Sequence, residues 1–434
     1  MRSGLSTRLL GASGLALCLL LPAEASAEPT PPAPVPNELH EALRLAVENH
    51  PRVGAAAARQ DAAWQRVEAA DRWPDARVEY GHFLRPVETR LGPQEHRVGI
   101  SQRLPWFGTL GLREEVARQS AHVVDQQFAV TVLEVRRRAA HAWYDYYLAG
   151  RRLEIADANV ALLTRLEDVV ISRYEASRAP YSSVLQIRIE REKAQDEVLS
   201  RRHELRPALA RLNESLSLPL DTERPIPSRT SLDVAAPDAA PDWWSSTPRI
   251  EALRSAERRE RERARLVRRE QLPDLALSAQ YIFTGKDDDL GGPDVGRDAL
   301  VAGISLDLPL DRGALRSERE AQESEARAAQ LVLDDAVRQL RAEHEVIQFA
   351  HEDALRRAAL LTNELLPAAR ETLRIAEDDF VTGIAEFSHL IDGHRTLLEL
   401  ELAYEEARVD AAKRAADLTA LLGGDTESNE EAES

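Results

Sequence analysis

Aromatic residues make up only 5% of this 434-residue chain, which is thin for a large globular core. Cysteine occurs once, at Cys18, and methionine once, at Met1. Cys18 sits in an N-terminal apolar run and follows Leu17, not the small residue that a lipoprotein signal needs. A chain cut beyond that run keeps no thiol, which excludes disulfides and thiolate metal sites. The lack of methionine excludes a thioether ladder for soft copper. Lysine is nearly missing (Lys193, Lys286, Lys413), so arginine carries the positive charge. After the N-terminal segment no 18 consecutive residues are apolar, so no further membrane-spanning helix is expected. If the chain enters a membrane, it does so as a β-barrel. No nucleophile–base pair, phosphate loop or paired-carboxylate site stands out. The expectation is a protein that is not an enzyme, with no cofactor and no resident metal.

What is present begins with a targeting segment, residues 1–27. Arg2 and Arg8 precede an apolar run over Leu9–Leu21, and Ala25-Ser26-Ala27 fits a small-x-small cleavage site. Residues 28–36 form a Pro-rich leader. Cleavage after Ala27 removes two Arg and one Glu and changes the net charge from −18 to −19. An acidic exported chain is a poor nucleic-acid binder. Ala, Leu, Arg and Glu dominate, the mix of long helices and coiled coils.

The strongest signal is an internal repeat. Residues 99–115 read GISQRLPWFGTLGLREE, and residues 303–318 read GISLDLPLDRGALRSE. His50-Pro51-Arg52-Val53 is matched by Thr247-Pro248-Arg249-Ile250, and Trp73-Pro74-Asp75 by Leu272-Pro273-Asp274. Each copy reads helix, strand, loop, strand, very long helix, turn, helix. The first copy spans 37–218, with strands at 75–85 and 97–104, a long helix over 112–177 and a return helix over 181–216. A linker over 219–246 joins it to the second copy, 247–423. That copy has strands at 275–283 and 299–308, a long helix over 314–381 and a return helix over 385–422. An acidic tail, 424–434, is expected to be disordered.

The strands alternate with period 2. Val78, Tyr80, Val98, Ile100, Leu277, Tyr281, Ile304 and Leu306 belong to one face; Arg77, Glu79, Arg97, Arg103, Ser278, Gln280 and Asp307 belong to the other. The loops 86–96 and 284–298 are polar. Each long helix would span about 100 Å at 1.5 Å per residue, too long for a compact domain. Leu333, Leu340, Ile347, Ala354 and Leu361 fall seven apart, with Val337, Ala358 and Leu365 in a second register, so the helices pack in a supercoiled array. Pro367 should kink its helix locally. His344 and His351 are read as satisfied or lumen-facing histidines, because a metal pair on a helix prefers a spacing of four. Asp287-Asp288-Asp289 looks like a calcium clamp but reads better as a solvated loop.

Each strand pair ends at Leu-Pro because proline cannot donate to a ladder. Pro105 with Gly108, and Pro309 with Gly313, then let the backbone bend from strand to helix. Four strands cannot close a barrel, and open edges in lipid cost several kcal/mol per unsatisfied group. Three chains would supply twelve strands, within the range of outer-membrane barrels. Arg77, Glu79, Arg97, Arg103, Gln280 and Asp307 would then line the lumen.

With these features the chain resembles the TolC-type outer-membrane factor family, the outer-membrane efflux proteins. SQRLPWFG, its partner SLDLPLDRG, and FVTGIAEFSHLIDGHRTLLELELAYEEA carry the resemblance, which covers essentially all of the processed chain. It implies a mixed α/β membrane protein: a homotrimer with a 12-stranded β-barrel continued by a periplasmic α-helical barrel. It also implies an exit duct in the Gram-negative outer membrane, working with a periplasmic adaptor and an inner-membrane transporter. LPWFG and the run from Trp143-Tyr144-Asp145 to Ala179-Pro180 look most like the branch paired with resistance-nodulation-division pumps, including those for heavy metals. Carried over by position, Phe380 stands at an entrance aromatic, Gly383 at the turn glycine and Asp392 at an entrance-ring aspartate. The pattern is broken twice. His389 replaces a second ring aspartate, and Ala385 replaces an arginine that ties the closed state, so Glu386 becomes a candidate contributor. Tyr174 and Tyr181 flank the other turn, at Ala179-Pro180. Two other readings stay open: a type I secretion duct, and an exported coiled-coil scaffold with no pore.

Overall fold

The duplication reappears in space as two copies of one unit. The computed structural model describes residues 38–232, 236–286 and 296–424, all within the unit Pro36–Ser434. The targeting segment with Cys18, the leader, Asp287-Asp288-Asp289 and the tail beyond Gly424 lie outside the described residues. The first copy holds α1 (Leu39–Asn49), α2 (Pro51–Glu68), β1 (Arg77–Thr89), β2 (Gly92–Leu104), α3 (Thr109–Glu175) and α4 (Tyr181–Ser215). The second holds α5 (Pro248–Glu270), β3 (Asp274–Thr284), β4 (Ala299–Asp307), α6 (Arg312–Leu360), α7 (Leu366–Thr382) and α8 (Phe387–Leu422). The four strands form one antiparallel sheet in the order β1-β2-β3-β4.

Three local differences from the sequence expectation have clear causes. Residues 86–96 are not a loop. β1 and β2 run on to a two-residue turn between Thr89 and Gly92, with Phe83–Pro86 bulged opposite Glu95. Pro86 has no N–H to give, so the ladder skips it and resumes at Val87. At the first strand-to-helix junction Gly108 has φ +83°, a conformation that glycine adopts without strain. At the second, Gly313 already lies in the first turn of α6. The bend there is held by Asp311, whose carboxylate accepts from the Ala314 N–H at 3.0 Å. The third difference is in the second long helix. It is divided by a π turn over Leu361–Leu365, just ahead of Pro367. Proline removes one helical hydrogen bond and crowds the carbonyl four residues back, and the wider turn makes room. The buried stripe Leu340, Ala354, Leu361 then restarts five residues on as Leu366, Leu373, Phe380, which leaves Leu365 exposed.

α3 has 67 residues, about 100 Å of helix. Two apolar clusters lie along it. One gathers Trp143, Tyr144, Tyr146 and Tyr147 against α1, the end of α4 and α8. The other joins the far end of α3 to α4, α7 and α8 through Val170, Ile187, Leu373 and Leu390. The inter-copy linker is more than a connection. Tyr146 Oη donates to the Arg224 carbonyl at 2.8 Å, Asn213 Nδ2 donates to that of Thr222 at 2.8 Å, and Arg224 Nε donates to Asn213 Oδ1 at 2.7 Å. Ile226 lies so close to Gly150 that a Cβ there would stand 2.4 Å from its methyl.

Two buried carboxylates hold α8 to α3. Glu405, 2% exposed, accepts from Tyr147 Oη at 2.9 Å and from Arg151, and pairs with Arg229 of the linker. Burial, then the Glu405 contact, pushes the Tyr147 phenol up to about 12, so it remains a donor. Asp417 accepts from His141 at 2.8 Å and Arg137 at 3.2 Å. Burial alone would raise its carboxyl, but His141 and Arg137 outweigh burial and bring it below the usual range.

Three substitutions test this account by thermal unfolding followed at 222 nm. Gly108→Val should destabilise by about 1–2 kcal/mol through left-handed strain, whereas Gly313→Ala should be neutral or stabilising by up to about 1 kcal/mol, as expected inside a helix. Glu405→Ala should cost on the order of 3 kcal/mol, because it removes the buried carboxylate shared by Tyr147, Arg151 and Arg229 and leaves the buried Tyr147 hydroxyl without that acceptor.

Candidate functional site

The sheet has two chemically distinct faces, and the register says which residues share each. Arg77 pairs with Ser101, Glu79 with Gly99 and Gly81 with Arg97. Ser101 pairs in turn with Ser278, Gly99 with Gln280 and Arg103 with Ala276. Asp307 lies opposite Asp274 on the same side. All six strand residues expected at a lumen, with Ser278, therefore fall on one face. Ile282 and Val301 are its larger apolar members. The other face carries Val78, Tyr80, Val98, Ile100, Leu104, Leu275, Leu277, Tyr281, Leu300, Ile304 and Leu306. Several of these are bare in the single chain: Val78 is 71% exposed and Leu300 and Ile304 are each 75% exposed.

Three strand glycines sit on the polar face, a placement that strand alternation did not single out. A Cβ at Gly81 would stand 2.7 Å from Arg97 Nε, one at Gly99 3.1 Å from Gln280 Cγ, and one at Gly303 2.8 Å from Ser278 Oγ. The polar side chains thus lie down over glycine, which keeps that face thin where a curved sheet crowds its inner side. Trp73, Trp106 and Phe107 are exposed at the strand-to-helix end, and Tyr80, Tyr281 and Phe283 lie toward the other end. Aromatics at both limits of an apolar band are what a membrane-spanning strand pair presents to the two interfaces.

The far end of the helices holds the second group of candidates. The α7–α8 turn closes with Gly383 at φ +88°, and its N–H and that of Ile384 bond to the Asp379 carbonyl at 3.0 and 2.8 Å. Phe380 is not a free entrance aromatic. It is 3% exposed, edge-on to Phe387 at 5.8 Å and covered by the Arg173 guanidinium at 4.4 Å. Its position on the α7 stripe turns it into the helical core. Tyr174 and Tyr181 lie against each other at 5.5 Å, half-exposed beside the α3–α4 turn. Glu386, His389 and Asp392 are exposed and spaced by three, so they share a face of α8. Arg395 continues that stripe, 3.8 Å from Asp392 and 2.9 Å from Glu190 of α4.

Arg173 is the residue that sequence reasoning missed. It belongs to α3, donates to the Arg178 carbonyl at 3.1 Å, and reaches over Phe380 toward Gly383. An arginine therefore joins the two helical turns from the turn opposite Ala385. The two core histidines are accounted for. His344 packs on Trp243 at 4.9 Å, and His351 Nδ1 lies 2.9 Å from the Ala411 carbonyl. Among the described residues no group of three or more His, Cys, Asp or Glu gathers as a metal site. No described helix is long and apolar enough to cross a membrane.

Residues 244–424 match the family model described as Outer membrane efflux protein. Among solved structures, the fold matches the outer-membrane channel OprN at 18% identity, covering 89% of this chain and 90% of that one, with a TM-score of 0.73. CusC, in structures described as showing conformational changes that accompany folding and transmembrane channel formation, matches at 17% identity, with 90% and 93% covered and a TM-score of 0.75. The outer membrane protein VceC from Vibrio cholerae matches at 16% identity, with 89% and 96% covered and a TM-score of 0.71. At such identities the likeness is one of fold. No curated protein sequence matches the chain.

The helical end carries a pH prediction. His394 is 6% exposed, with Nε2 2.8 Å from Asn159 Oδ1, and burial pushes its pKa down while Glu401 pulls it up. A depressed folded value means the neutral ring stabilises the fold fully above the ordinary pKa of about 6.5. That contribution is lost as pH falls through the folded value. The unfolding temperature should therefore drop as pH falls below about 6.5, and His394→Leu should flatten that part of the profile.

Proposed function

We propose that this chain is an outer-membrane efflux protein and one subunit of a trimeric exit duct, a passive channel from the periplasm to the exterior of a Gram-negative cell. The observation that carries the reading is the sheet: four strands, one continuous apolar face, one polar face and two open edges, hung directly from helices about 100 Å long. Strands open at β1 and β4 are completed by the β4 and β1 of neighbouring copies. Three copies give twelve strands, with the apolar face toward lipid and Arg77, Glu79, Arg97, Arg103, Ser278, Gln280 and Asp307 toward water. The helices continue that tube into the periplasm. The match of residues 244–424 and the shared fold support this reading, and a scaffold without a pore leaves the apolar face unexplained.

The duct does no chemistry. Small solutes, such as metal cations or drugs, would pass by diffusion through a water-filled interior, driven by a partner pump of the resistance-nodulation-division type through a periplasmic adaptor. Threefold symmetry converts each Asp392 into three converging carboxylates, with Glu386 and His389 beside them. Such a ring favours cations electrostatically. Arg173 holds the two helical turns of one chain together, and through them the width of the entrance.

Planar-bilayer recording on the purified full chain tests both residues. Asp392→Asn should reduce cation selectivity and weaken block by polyvalent cations; unchanged selectivity and block would remove Asp392 from the entrance. Arg173→Ala should widen the entrance. A desolvated cation–π contact contributes about 2 kcal/mol, so the open-to-closed ratio should rise by up to about thirtyfold. A polypeptide that stays soluble and makes no pores would defeat the reading as a whole.

A further inference from the structure

On the apolar face of the β1–β2 hairpin the polar groups of three side chains converge. His82 and His96 are directly opposite one another, the last pair before the ladder breaks. Their rings stack at 4.7 Å, with the two Nδ1 atoms 3.1 Å apart. Tyr80 Oη lies 2.9 Å from His96 Nδ1, and His82 Nδ1 lies 3.2 Å from the Glu95 carbonyl. We propose that His82 Nδ1, His96 Nδ1 and Tyr80 Oη form a binding site for a divalent late first-row metal ion, Cu(II) ahead of Zn(II).

The hydrogen bonding of the three groups motivates this. Imidazole Nδ1 carries either one proton or one lone pair. In the metal-free protein His82 Nδ1–H can donate to the Glu95 carbonyl while the Tyr80 hydroxyl donates to His96 Nδ1, so the two Nδ1 atoms, 3.1 Å apart, hold one proton between them. When both rings carry their proton on Nε2, both Nδ1 lone pairs are available and a metal ion can take the place of that proton. Ligand bonds of about 2.0–2.1 Å to nitrogens 3.1 Å apart subtend about 100° at the ion, between the square and tetrahedral angles. The phenol oxygen beside His96 offers a third position. Two imidazoles and a phenol suit Cu(II) and Zn(II) and not Mg(II) or Ca(II), and Cu(II) leads in the general order of affinities.

The backbone around the pair is built to hold it. β1 bulges over Phe83–Pro86 immediately after His82, and β2 shifts register against β3 at Glu95, immediately before His96. Bulges re-aim the side chains next to them. Phe283, edge-on to His96 at 6.5 Å, walls the third side. Since the site is on the face opposite Arg97 and Gln280, it is separate from the polar face and independent of what that face conducts. A bound ion would clip β1 to β2 below the hairpin turn.

The test uses the untagged full chain in detergent and Cu(II) alone as the probe. One Cu(II) per chain should bind with the two-nitrogen hyperfine pattern of paired imidazoles in electron paramagnetic resonance, and it should raise the unfolding temperature. His82→Gln and His96→Gln should each weaken binding by more than the roughly 10- to 100-fold that a change beyond the first ligand shell costs. Tyr80→Phe should alter the Cu(II) spectrum while leaving two nitrogens bound. His203→Gln, at an exposed helical site, should change nothing. The proposal is overturned if Cu(II) fails to bind, if the two-nitrogen pattern is missing, or if either histidine variant binds as the wild type does. If a glutamine variant does not fold, the Tyr80→Phe spectrum decides: one identical to the wild type also overturns it.

Discussion

Hydrocarbon offers no hydrogen bonds, and the rest of this structure answers to that constraint. A four-stranded sheet leaves the outer N–H and C=O groups of β1 and β4 without strand partners among the described residues. In water such edges are tolerable; beside an apolar face in lipid they are not. The face itself, bare from Val78 to Leu306, is not covered by the described residues either, because each strand pair leads straight into a helix. In the proposed trimer, pooling strands between copies meets both demands together. It also explains why glycine, and not a larger small residue, recurs on the polar side at Gly81, Gly99 and Gly303, where curvature brings neighbouring side chains close.

The helices obey a different rule. They lie in water, so their cohesion comes from an apolar stripe and from buried charges with full sets of partners. Glu405 and Asp417 each draw donors from more than one segment and so fix α8 against α3 at a definite register, something the small alanine-rich stripe of α8 would do weakly. The linker takes part: Arg229 reaches Glu405, and Ile226 lies on Gly150, so the connection between copies acts as a belt. The π turn before Pro367 belongs to the same logic. A seven-residue repeat carried past a proline would rotate out of its seam, and one wide turn resets it so that Leu366, Leu373 and Phe380 face inward again.

At the helical end the same economy of partners appears in a rearranged form. An arginine joining the two turns is supplied by α3, not by the position of Ala385, and it stacks on Phe380. The aromatic at that position is thereby drawn into the core, and Glu386, His389 and Asp392 are left as an exposed polar stripe, with Arg395 at its end tied to Glu190.

Much of this was legible in the residues themselves. Period-2 alternation assigned the strand residues outside 86–96 to their faces, because side chains of a strand can point only two ways. The duplication, the Leu-Pro strand ends and the heptad stripe were equally local signals, each set by backbone geometry over a few residues. What the tertiary structure decided are matters of distance between segments far apart in the chain. Arg173 meets Phe380 across 207 positions, His82 meets His96 only because a bulge at Pro86 sets the register, and Gly313 proved ordinary because Asp311 had already capped the helix. Such outcomes depend on which of several chemically adequate partners comes within about 3 Å. A linear pattern records the kind of each partner but not that distance.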